Sequence, residues 1–137
     1  MVQNQQSQEP FKPQNELERF LIKTKAGELP LKELLRQLTA SDLFVPSVQE
    51  VAQDGSGFVP LLFERDRVPL AAAFTAISRV SAYGERAKYC VKMNGAEFLK
   101  RVPKGYGVAI NPGFSATFEI SPPGINDILR DFGEGAW

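Results

Sequence analysis

The sequence predicts a single-domain α+β (or α/β) fold, with a mixed β-sheet of about five to six strands covered by helices and an N-terminal helical hairpin. Three observations carry this. Two leucine-striped segments of helical period come first, a series of short apolar runs bounded by turn residues follows, and further helical segments are interleaved among those runs. With 137 residues and 43% apolar side chains, the chain has material for one hydrophobic core.

Residues 1–13 are rich in Gln and Asn and punctuated by Pro10 and Pro13. They lack the basic start and apolar run of a secretory signal and read as a disordered lead-in, with Phe11 as its candidate anchor to the domain at residues 14–137. Asn15 is placed to cap a helix, and Glu18 sits where a capping-box carboxylate reaches back. Leu17, Phe20 and Leu21 share one face of that helix, and Gly27 stops it. Pro30 suits the first position of a second helix, whose stripe is Leu31, Leu34, Leu35 and Leu38.

Residues 43–46 form a short strand, and Asp54, Gly55, Ser56 and Gly57 a turn. The apolar runs 58–63 and 68–74 read as a hairpin whose charged tip is Glu64, Arg65, Asp66 and Arg67. A short helix over 76–83 takes Thr75 as its cap and Gly84 as its stop. Residues 88–93 are a strand ended by Asn94 and Gly95, and 96–102 a helix with Phe98, Leu99 and Val102 inward. Strands at 107–111 and 116–120 flank Pro112 and Gly113. Ser121 and Pro122 open the last helix, striped by Ile125, Ile128, Leu129 and Phe132.

Composition removes several functional classes. There is no histidine, which excludes Ser-His-Asp triads, Cys-His dyads and His-ligated metals. One cysteine rules out an internal disulfide and suits a reduced, cytoplasmic setting. No P-loop, dinucleotide-type glycine pattern or metal-spaced carboxylate cluster occurs, so no cofactor and no metal are expected. Sixteen Lys and Arg balance sixteen Asp and Glu, which argues against nucleic acid as partner, and no apolar run is long enough for a membrane span.

The balance is uneven along the chain. Residues 84–113 hold six Lys or Arg (Arg86, Lys88, Lys92, Lys100, Arg101 and Lys104) against two Glu, a net of +4; residues 114–137 hold one Arg against four acids, a net of −3. With Tyr83, Tyr89 and Tyr106 close by, the basic segment predicts a positive, aromatic-bearing surface for an acidic protein partner, or else charges scattered over unrelated outer faces.

Five pieces in order carry a family resemblance: Asn-Glu-Leu-Glu-Arg-Phe-Leu from Asn15, Gly-Glu-Leu-Pro-Leu-Lys-Glu-Leu-Leu from Gly27, Leu-Phe-Val-Pro from Leu43, Pro-Leu-Ala-Ala-Ala-Phe-Thr from Pro69, and Gly-Val-Ala-Ile-Asn-Pro-Gly from Gly107. Over residues 15–129 the chain resembles the SseB N-terminal domain family, a bacterial group named for enhanced serine sensitivity. The resemblance implies a fold and brings no catalytic residues to carry over. Secretion wording attached to that family name implies a type III secretion-associated role, which the absence of a long coiled coil or membrane-inserting helix opposes.

Two local motifs complete the candidates. Asn111, Pro112 and Gly113 either present backbone N–H groups to an anion or partner, or simply form a type II turn. In the strand over 88–93, Lys88, Cys90 and Lys92 point one way, so two lysines beside the thiol would lower its pKa and make it reactive; a buried-type small hydrophobe is the plainer reading of Cys90. Phe132 and Trp137 supply packing either within the chain or across a homodimer. The leading reading is a non-catalytic binding or regulatory module that uses Tyr83, Arg86, Lys88, Lys100, Tyr106, Asn111, Pro112 and Gly113. The alternative is a sulfur-handling or serine-metabolism-linked accessory protein using Cys90.

Overall fold

A computed structural model describes residues 11–84 and 88–133. Helix α1 (Glu16–Lys25) starts where the Asn15 side chain accepts the Glu18 N–H at 2.9 Å, and it buries Leu17 and Leu21. Helix α2 (Leu31–Ala40) packs against α1 and buries Leu34 and Leu38. Pro30 is its N-cap rather than its first helical residue. Leu31 is 51% exposed, because the first turn of α2 overhangs the core, so the working stripe begins at Leu34.

The strands and remaining helices follow the predicted order: β1 (Asp42–Ser47), β2 (Leu62–Arg65), β3 (Val68–Ala73), α3 (Ile77–Ser81), β4 (Tyr89–Asn94), α4 (Gly95–Arg101), β5 (Gly107–Ile110), β6 (Phe118–Ile120) and α5 (Pro122–Ile128). A π-helical turn, Leu129–Gly133, prolongs α5. The six strands form two ladders. In one, β1 and β4 pair antiparallel from Asp42↔Asn94 to Ser47↔Tyr89. The other has the order β2-β3-β5-β6, with β3 and β5 parallel from Leu70↔Gly107 to Ala73↔Ile110 and antiparallel pairs at both edges. Single bridges at Phe44↔Phe74 and Ser47↔Pro60 tie the ladders together.

Several boundaries differ from the sequence expectation for local reasons. The run over 58–63 yields only a bridge at Pro60 before β2, since proline has no N–H for a ladder. The hairpin tip is two residues, Asp66 and Arg67, at φ 53° and 70°, while Glu64 and Arg65 remain in β2. Two consecutive positive φ values match the twist of a tight hairpin. Thr75 does not cap α3; Ala76 holds that position without a side-chain bond. Asn94 ends β4 and at once caps α4, accepting the Ala96 and Glu97 N–H groups at 2.9 and 3.3 Å.

Side-chain alternation along β3 divides the core. Ala71 and Ala73 face the main cluster with Leu17, Leu21, Leu34, Leu38, Phe98 and Leu99, whereas Ala72 and Phe74 face a smaller cluster with Leu61 and Val80. Tyr83, Phe63 and Phe114 pack on that second side. Among the described residues no helix is long and apolar enough to cross a membrane.

Candidate functional site

The predicted site residues separate into three places. Tyr106 directly precedes β5 and Asn111 directly follows it. Five residues of extended chain set them about 16 Å apart, at opposite ends of β5.

The first place is an open groove of about 520 Å³ between the end of α4, the following loop and the start of α5. Lys100 comes from the last turn of α4. The loop turns through Pro103, Lys104 and Gly105, closed by the Tyr106 N–H donating to the Pro103 carbonyl at 3.0 Å, and this aims Lys104 and Tyr106 at the same opening. The far wall is Pro122 and Pro123, where Ser121 caps α5 by accepting the Gly124 N–H at 3.1 Å. That wall sits close because residue 107 is glycine: a Cβ there would lie 2.6 Å from the Ile120 carbonyl oxygen. The floor is apolar, including Leu99, Ile125 and Leu129, and among the described residues no acidic side chain lines the groove.

Among the described residues, the acids of the C-terminal stretch form ion pairs with arginines outside the basic one. Asp127 and Asp131 pair with Arg130 at 3.1 and 3.2 Å, and Glu119 pairs with Arg65 at 2.6 Å. Arg101 pairs within its own helix with Glu97. Lys88, Lys92 and Lys104 have no ion pair among the described residues.

The second place is the turn after β5. The Phe114 N–H donates to the Asn111 carbonyl at 3.1 Å and Gly113 has φ 90°, the type II geometry expected of Pro-Gly. Tyr83 donates its hydroxyl hydrogen to the Pro112 carbonyl, and its ring packs on Phe63 and Phe74 at 5.9 and 5.4 Å between centroids. Asn111 is fully buried: its Oδ1 accepts the Thr75 N–H at 3.1 Å, and its Nδ2 donates to Thr75 Oγ1 and the Ala116 carbonyl. The Asn111 side chain is spent inside the fold and offers nothing to a partner.

The third place is the outer face of β4. Lys88, Cys90 and Lys92 are exposed there while Tyr89, Val91 and Met93 turn inward, as the alternation predicts. Lys88 lies 5.7 Å from the Tyr89 ring centroid. Although the residue as a whole is exposed, partial desolvation against β1 pushes the Cys90 thiol above its ordinary value, against a weaker pull from the Val45 backbone. The direction is opposite to the lowering that Lys88 and Lys92 would bring. Alkylation of Cys90 by iodoacetamide at pH 7 is expected to run slower than that of free glutathione; a faster rate would contradict the raised pKa. Arg86 lies outside the described residues, as does Trp137, while Phe132 stacks under Arg36 of the same chain at 5.7 Å.

Sequence reasoning missed a fourth constellation. Glu18 is completely buried and pairs with Arg79, whose side chain is 12% exposed, at 2.7 Å. The Glu18 carboxylate also accepts the Thr75 hydroxyl, the Gln14 N–H at 2.9 Å and a second Arg79 bond at 3.1 Å. Burial acts most strongly and would raise the Glu18 carboxyl. The hydrogen bonds from Arg79, Thr75 and Gln14, with the Arg79 charge, outweigh it and hold the carboxyl below its ordinary value. The cluster sits beyond the carboxyl ends of the parallel strands β3 and β5, a common ligand position in α/β sheets. Here every buried polar side-chain atom among the described residues has a partner, so the cluster locks segments together rather than moving protons. Its one sequence signal was an acid on the same helical turn as the buried Leu17 and Leu21.

No group of His, Cys, Asp and Glu suited to a metal occurs among the described residues. No curated protein and no solved structure matches the chain. A family match does exist, and it spans the fold from the first turn of α1 to α5: by agreement with the model of the SseB protein N-terminal domain over residues 17–127, the chain belongs to that family.

Proposed function

We propose that this SseB-domain chain is a non-catalytic protein-binding module whose groove between α4 and α5 takes an acidic segment carrying an apolar anchor residue. The observation that carries the reading is the groove's chemistry: Lys100 and Lys104 at the rim, Tyr106 and three prolines as rigid walls, an apolar floor, and no carboxylate in the lining among the described residues. Rigid aromatic and proline surfaces lose little entropy on contact, and cations at the rim favour encounter with a negative partner. Among the described residues, the lining holds no thiol and no carboxylate. A sulfur-handling role for Cys90 is the second reading, and the raised thiol pKa gives it less support.

The test uses a fluorescent octapeptide of alternating Glu and Leu as probe. Binding is expected to shift the amide resonances of Lys100, Lys104 and Tyr106, and to weaken with added salt. Lys100→Glu combined with Lys104→Glu should weaken it about tenfold or more, since two attractive rim charges become repulsive. Lys92→Glu, on the separate face of β4, should change affinity by less than twofold. Equal loss from both variants would reduce the effect to net charge and remove the groove reading.

A further inference from the structure

The segment ahead of α1 is held in a way that chain connectivity alone does not require. Phe11 lies with its ring face 3.8 Å from the Arg79 guanidinium carbon and edge-on to Phe114, centroids 6.1 Å apart. Arg79 also lies 5.6 Å from the Phe114 ring. Its Nη2 donates to the carbonyl of the next residue, Lys12, at 2.7 Å. The seat therefore reads two things in register, an aromatic ring and the main-chain carbonyl that follows it.

The seat is built without Phe11. Arg79 is fixed by Glu18, and Phe114 by the type II turn after β5 and by an edge contact with Phe74 at 6.5 Å. The chain is also fastened immediately afterwards: the Gln14 N–H donates to Glu18, and its side-chain oxygen accepts the Ser78 hydroxyl at 2.9 Å. Pro13 restricts Lys12 to extended backbone, so Phe-Lys-Pro enters the seat preordered. A preordered extended segment beside proline, docked on aromatic and guanidinium groups, is a recurrent mode of peptide recognition.

We propose that the Arg79–Phe114 face is a recognition site for extended aromatic-Xaa-Pro protein segments, filled in cis by Phe11, Lys12 and Pro13 of this chain. The lead-in then acts as a built-in competitor. A partner presenting the same signature engages only by displacing it, against an effective local concentration in about the millimolar range.

The test uses the full chain carrying Phe11→Ala and a synthetic peptide of residues 8–14 as probe, read by chemical shifts of the Arg79 Nε–H and the Phe114 amide. Saturable shifts at both are expected in the variant. The wild-type chain should bind at least about tenfold more weakly, and the peptide carrying its own Phe11→Ala should give no shift. If Phe11→Ala does not fold, Phe11→Leu, which keeps bulk without the ring, replaces it. Equal binding by wild type and variant, shifts elsewhere, no binding, or failure of both variants to fold would each overturn the proposal, the last because a seat that cannot be emptied is core.

Discussion

Glu18→Gln is expected to cost about 3 kcal/mol of folding stability, the lower end of what breaking a buried ion pair costs. The reason is the partner left behind. Arg79 keeps its charge in a site where only 12% of its side chain meets solvent, and a neutral amide offers it one acceptor in place of a carboxylate. Native domains have only about 5–15 kcal/mol to lose, so urea unfolding should show a clear fall in midpoint with an unchanged m-value. Replacing both members by apolar residues of similar size, Glu18→Leu with Arg79→Met, should cost less than either single change, because no charge is stranded. The pH dependence follows from the lowered carboxyl. The folded chain binds the Glu18 proton more weakly than the unfolded chain does. The stability Glu18 contributes is therefore full above about pH 4.5 and is lost as pH falls through the depressed native value. The gap between wild type and Glu18→Gln should narrow on acidification. A gap that stays constant from pH 7 down to pH 3 would mean that Glu18 is not ionised in the fold.

That cluster also explains what could and could not be read from the chain. Helices α1, α2, α4 and α5 were legible because each announces itself locally, through a cap such as Asn15 or Ser121 and an apolar stripe of period 3.6. Three residues after Asn15, Glu18 reads as a capping-box acid, and it does reach back to the backbone, accepting the N–H of Gln14. Its other partners, Thr75 and Arg79, are 57 and 61 residues away and carry no local signal. The sequence position of Thr75 likewise suits a helix cap, yet Thr75 bonds Glu18 and Asn111 and leaves α3 without a side-chain cap. Local spacing cannot announce contacts that exist only once a parallel pair such as β3 and β5 has assembled through a crossover.

The site divided along the same line. Lys100 and Tyr106 came together because a single tight turn joins them, a short-range event. Tyr83 and Pro112, 29 residues apart, also meet, but for packing on the second core cluster. Asn111 looked distinctive in sequence because Asn-Pro-Gly is a strong turn signal, and the turn is indeed its role.

Gly95→Ala is expected to be the other severe change, about 3 kcal/mol and at the upper end of overpacking costs. Sequence reading gave Gly95 the role of a turn residue after Asn94. Instead it is the first residue of α4, pressed against the end of α2: a Cβ there would stand 2.0 Å from the Leu38 carbonyl oxygen, 2.9 Å from its carbon and 3.3 Å from the Thr39 Cα. These are backbone atoms and cannot rotate aside. The Gly95 N–H also donates to the Ser41 carbonyl at 2.7 Å, so the two chains are fixed at this separation. Relief requires α4 to move off α2, which loosens Phe98 and Leu99 from the core around Leu38. Gly27→Ala is the control. Residue 27 has φ 79° but nothing within 4 Å of a built Cβ, so it should cost only about 1–2 kcal/mol for the left-handed backbone. The thermal midpoint should therefore fall further for Gly95→Ala than for Gly27→Ala, and the reverse order would refute the contact argument. Because α4 also carries Leu99 and Lys100 into the groove, Gly95→Ala should weaken the acidic probe even at temperatures where the chain remains folded, whereas Gly27→Ala should not.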